Sequence, residues 1–142
     1  MDDLFIPLEK DEYDKPYVSF NARTGKCELH GESFPEKTEE FYERLIKWID
    51  RYIKETGGPI EFDFKLTYFN TSSSKRILQL MMKLRDYKRQ GGKVTSRWSY
   101  HPEDVDLEED IEDLKVISRL DLQMVPDEKM QYRGLDPDKR DG

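Results

Sequence analysis

The chain has 142 residues, a formal net charge of -7, and more charged residues (39%) than hydrophobic ones (35%). Such a length suits one domain, and the acidic balance excludes a dedicated binder of nucleic acid or of anionic membranes, both of which need clustered cations. Aromatic residues at 12% supply enough apolar mass for a packed core rather than a disordered chain.

Residues 1–16 carry six acids and two lysines before Pro16 and are expected to form a weakly ordered lead-in. Tyr17-Val18-Ser19-Phe20 alternates like a strand, Asn21 to Gly25 supplies turn chemistry, and Cys27 to His30 returns as a second strand, which together read as a hairpin. Ser33-Phe34-Pro35-Glu36 has the spacing of a capping box, with the Ser33 hydroxyl and the Glu36 carboxylate satisfying each other's free amides. The helix it predicts places Phe41, Leu45, Trp48, Ile49 and Tyr52 on one stripe and stops at Gly57-Gly58, since glycine tolerates the left-handed conformation of a helix end.

Ile60, Phe62, Phe64, Leu66 and Tyr68 alternate with Glu61, Asp63, Lys65 and Thr67. One face of this strand is apolar and the other polar, so helices are expected on one side of the sheet only. A second helix follows with Ile77, Leu78, Leu80, Met81, Leu84 and Tyr87 inward, then Gly91-Gly92, then a strand through Val94, Ser96, Trp98 and Tyr100. Strand, helix and strand in this order imply parallel neighbours. Eight acids without a base fill residues 103–113, where Val105, Leu107, Ile111 and Leu114 outline a short third helix. Residues 121–125 read as a last strand, and 126–142, with nine charges, as a flexible polar tail. The predicted fold is α/β: a two-layer sandwich with a mixed sheet of about five strands.

Chemistry is sparse. Cys27 is the only cysteine, so an internal disulfide and a cysteine-based zinc site are both excluded. His30 and His101 lack neighbouring ligands at metal-binding spacing, and the acid run has no glycine for a calcium loop. No apolar run is long enough to span a membrane, and the first residues lack the layout of a signal peptide. A cytoplasmic protein without cofactor, metal or membrane insertion is expected.

What stands out is the corner Asn70-Thr71-Ser72-Ser73-Ser74-Lys75-Arg76 between the alternating strand and the second helix. One of these side chains suffices as a helix cap. No G-x-S-x-G elbow surrounds the serines and no glycine makes a phosphate loop. Cations in a first turn are unusual, because helix N-termini favour anions, and they suit a corner that at times holds one. A redundant cap on a structural or scaffolding domain, or a small anion-binding domain, are the alternatives that the residues leave open.

The chain resembles the SiaC-type family of bacterial regulatory phosphoproteins over residues 17–125. The resemblance rests on Gly31-Glu32-Ser33-Phe34-Pro35-Glu36, on Phe64 to Lys75, and on Gly91-Gly92 followed by Trp98-Ser99-Tyr100. It implies a STAS-like fold and a signalling switch rather than an enzyme. A Ser/Thr protein kinase would phosphorylate Thr71, the threonine of the Asn-Thr-Ser-Ser motif, and a metal-dependent protein phosphatase would reverse it. Asn70, Ser72, Ser73, Ser74, Lys75 and Arg76 would neighbour or recognise the phosphate. The unmodified form would bind and activate a diguanylate cyclase or another signalling target, linking it to biofilm formation.

Overall fold

Alternation in the central strand sets the architecture. In the computed structural model, which describes residues 1–132, β4 (Ile60–Phe69) buries Ile60, Phe62, Phe64 and Leu66 and leaves the intervening residues half-exposed. Residues 133–142 of the expected 126–142 tail lie outside the described residues. Around β4 the sheet has six strands in sequence order: β1 (Leu4–Ile6), β2 (Tyr17–Phe20), β3 (Lys26–Ser33), β4, β5 (Val94–Tyr100) and β6 (Leu122–Pro126). The first two pairings are antiparallel and the last three parallel. The sheet is therefore mixed, as expected, and the extra strand is β1.

Three residues are too few to show a period, so β1 is invisible to pattern reading. It is held from a distance. Leu4 and Ile6 pair with Phe20 and Val18 and pack on the core. The indole N–H of Trp48 donates to the Asp2 carbonyl (2.9 Å), and Asp3 Oδ1 accepts from the Ala22 amide (2.7 Å).

One face of the sheet is covered by α1 (Thr38–Glu55), α2 (Thr71–Arg89) and α3 (Val105–Ser118). The predicted stripe of α1 is buried throughout. In α2, Ile77, Leu80, Met81, Leu84 and Tyr87 are buried and Leu78 is half-buried. In α3, Leu107, Ile111 and Leu114 face inward while Val105 is exposed. Phe62, Phe64 and Trp98 stack at the centre, and Trp98 Nε1 donates to the Leu66 carbonyl at 3.1 Å. Each fully buried large apolar side chain stabilises the fold by about 1.5–3 kcal/mol. The ion pairs on the open face, Lys65–Glu28 and Arg97 with Glu61 and Asp63, are each worth about 0–1 kcal/mol. The covered face therefore carries the stability.

Both helix-ending glycines behave as predicted: Gly57 (φ +61) follows α1 and Gly91 (φ +103) follows α2. The predicted start of α1 does not. The helix begins at Thr38, its N-cap Lys37 supplies no side-chain hydrogen bond, and Ser33 is the last residue of β3. The Ser33 hydroxyl is engaged elsewhere: it bonds to Tyr42 Oη (2.6 Å) and donates to Ser73 Oγ (2.9 Å). Local spacing matched a capping box, but tertiary partners took the serine. No helix among the described residues is long and apolar enough to cross a membrane.

Candidate functional site

The corner lies where β4 gives way to α2. Asn70 has extended backbone (φ -84°, ψ 177°), and its Oδ1 accepts from the Ser73 amide at 2.9 Å. Its carbonyl accepts from Ser74 N (2.9 Å), and its own amide donates to the Ser33 carbonyl (3.0 Å). One residue thus caps the helix and ties the corner to the neighbouring strand, which is ordinary N-cap chemistry.

The remaining hydroxyls divide by direction. Ser73 is fully buried and joins Ser33 and Tyr42 in a chain of three hydroxyls linking α2, β3 and α1. Burial pushes the Tyr42 phenol up to about 12, although its serine partners pull the other way. Ser74 donates to the Thr71 carbonyl at 2.7 Å. Thr71 and Ser72 are exposed, and neither hydroxyl has a hydrogen-bond partner among the described residues. Apparent redundancy in the sequence therefore resolves into distinct roles, with two side chains left open to solvent.

Two grooves flank this first turn. On one side, Ser72, Lys75 and Arg76 face Lys37, Thr38 and Glu39 at the start of α1 across about 500 Å³. There Arg76 pairs with Glu39 (3.2 Å) and donates to Gln79 Oε1 (2.9 Å). On the other side, Asn70, Thr71 and Ser74 face Asp110, Asp113 and Ile117 of α3 across about 260 Å³. Asp110 is held above the usual carboxylate range by partial burial and then by the charges of Asp113, Asp106, Glu109 and Asp104. The fold thus brings Asn70, Thr71 and Ser74 together, puts Ser72, Lys75 and Arg76 on the far side of the turn, and takes Ser73 into the core.

Sequence reasoning did not find Ser33, Tyr42, Asp110 or Asp113 as neighbours of this corner. Local spacing assigns Ser33 to a cap and the acids to a short third helix. Both assignments were sound locally, and no periodic signal connects residues 71 and 110.

Among the described residues no rival centre competes with the corner. His30 lies on the open face against Tyr17, and His101 is buried, with Nδ1 accepting from the Glu103 amide. The Cys27 thiol is buried and pushed up, first by desolvation and then by Asp63, which makes it a poor nucleophile. Among the described residues no group of three or more His, Cys, Asp or Glu side chains is placed to hold a metal ion.

Residues 8–127 match the family model described as SiaC family regulatory phosphoprotein. A protein of Pseudomonas aeruginosa strain UCBPP-PA14 is 31% identical over 100 residues, covering 70% of this chain and 77% of that protein. The crystal structure of apo-SiaC from Pseudomonas aeruginosa superposes with a TM-score of 0.76 at 25% identity, covering 88% of this chain and 99% of the other. SiaC of that organism, in a structure of the diguanylate cyclase SiaD in complex with its activator SiaC, gives 0.81 at 26% identity, covering 88% and 100%. The chain belongs to the SiaC family of regulatory phosphoproteins.

Proposed function

We propose that this protein is a non-enzymatic signalling switch, set by phosphorylation of Thr71 and read by a diguanylate cyclase that the unmodified form binds and activates in the cytoplasm. The observation that carries the reading is the state of Thr71. It is exposed at the helix start with an uncommitted hydroxyl, while the Asn70 cap and the buried Ser73 hold its backbone. Geometry alone leaves Ser72 as an equal candidate, and resemblance to the family motif selects Thr71. Lys75 enters this reading as a nearby recognition cation, whereas Arg76 would have to leave Glu39 and Gln79 to serve as one.

A Ser/Thr kinase would transfer the terminal phosphoryl group of a nucleoside triphosphate to Thr71 Oγ, which loses its proton as the diphosphate leaves. A metal-dependent phosphatase would return the hydroxyl by water attack, releasing inorganic phosphate. The modification adds a charge of about -1.5 to -2 and three acceptor oxygens. At a docked surface that dianion must be desolvated or displaced.

Thr71→Glu is expected to lower affinity for the cyclase about a thousandfold, equivalent to about 4 kcal/mol, while Thr71→Ala keeps binding within a few-fold. Titration calorimetry with the purified cyclase reads both. Equal binding by the two variants overturns the reading, as does intact-mass analysis that finds no phosphate on the protein from its native cell under any growth condition.

A further inference from the structure

We infer that phosphate on Thr71 also acts inside the molecule, by charge repulsion from Asp110 and Asp113 that loosens α3 from the sandwich. This rests on the reading of Thr71 as the phosphoacceptor and adds an internal consequence to it.

Thr71 shares its groove with those two carboxylates, and the cations nearest in sequence line the other one. Arg76 is already committed to Glu39 and Gln79. Lys75 stands one turn beyond Thr71 and, with the first amides of α2, offers the phosphate some compensation. Opposing this, a further negative group enters a space where Asp110 already feels Asp113, Asp106, Glu109 and Asp104. Like charges that line one groove destabilise the element that carries them.

The element is suited to respond. Six of the fourteen α3 residues are acids and Lys115 is its only base. Its attachment is uneven. At the C-terminal end Arg85 Nη1 donates to the Ser118 carbonyl (2.9 Å), and Lys88 pairs with Asp121 just beyond (3.3 Å). The acid-bearing half is held by Leu107, Ile111 and Leu114 and by the Asp104 cap on Leu107 N (3.2 Å). An element with few ties and an unfavourable charge pattern opens at low free energy, so added repulsion shifts it readily.

Amide hydrogen exchange on the full chain tests this, with phosphothreonine incorporated at position 71. Exchange over residues 105–118 should quicken about tenfold relative to the unmodified protein, with α1 unchanged, and Thr71→Glu should give a smaller change in the same direction. Adding Asp110→Asn with Asp113→Asn, both exposed and so tolerant of substitution, should return α3 to within about twofold of unmodified. The uncharged Thr71→Val should leave α3 as it is. Unchanged exchange in the phosphorylated protein, or a quickening that the asparagines fail to reverse, overturns the inference. If Thr71→Glu loses the cyclase while α3 stays protected, the proposed function stands and this coupling falls. If α3 loosens but no phosphate is found in the cell, the coupling stands and the proposed function falls.

Discussion

The inner and outer sides of the first turn of α2 are built on opposite terms. Inside, Ser73, Ser33 and Tyr42 exchange hydrogen bonds out of water, and each hydroxyl has a partner. Outside, Thr71 and Ser72 have none among the described residues, and their two grooves differ in charge. The contrast separates holding a residue in place from leaving it available. A modifiable side chain must be free, yet the backbone beneath it must be fixed if an enzyme and a partner are both to find it. The chain achieves this by alternating the duties of adjacent hydroxyls along one helical turn.

The binding loss on Thr71→Glu is the largest effect expected, and it belongs to the outer side. On the inner side the next largest is Ser73→Ala. Removing a buried hydroxyl from a hydrogen-bonded chain costs about 1–3 kcal/mol, read as a lower urea midpoint with an unchanged slope. Ser72→Ala, one residue away and exposed, should stay within about 0.5 kcal/mol. Equal effects would erase the distinction between the two sides.

Asn70→Ala probes the link between them and should cost about 1 kcal/mol, as loss of an N-cap does. Because Asn70 Oδ1 accepts from Ser73 N, the loss should fall at the start of α2. Faster amide exchange at residues 71–74 than at residues 80–87 would show it, whereas uniform loosening along the helix would assign Asn70 a global role instead.

Much of this was legible in the sequence because burial writes itself as period. The alternation of β4 and the stripes of α1 and α2 report one covered face, and the structure has one covered face. The corner was legible as a concentration of capping residues. What the sequence withheld depends on contacts between distant positions. Ser33 carries a capping-box spacing, yet its hydroxyl partner Ser73 lies 40 residues away. β1 is stabilised by pairing with Val18 and Phe20 and has no length over which to show a pattern. Of the six acids of α3, five are exposed and Glu108 is half-buried. What mattered was which residue they faced, and no local rule states that.

Arg76 is the smallest and sharpest probe of the contrast. Adjacency in sequence makes it a phosphate ligand in prospect, whereas its guanidinium binds Glu39 and Gln79 in the groove opposite Thr71. Glu39 is largely exposed (84%), so the pair is screened, and Arg76→Ala should change stability by no more than about 0.5 kcal/mol. Its effect on phosphorylation is therefore readable without a folding artefact. If Arg76 reaches the phosphate, the alanine variant should raise the second phosphate pKa of phospho-Thr71, seen as a displaced ³¹P titration, because a nearby cation favours the dianion. If Arg76 stays with Glu39, that titration should be unmoved, and Lys75→Ala should be the variant that shifts it. The second outcome is expected, because Arg76 is already engaged by Glu39 and Gln79, whereas Lys75 has no ion pair among the described residues and stands one turn beyond Thr71.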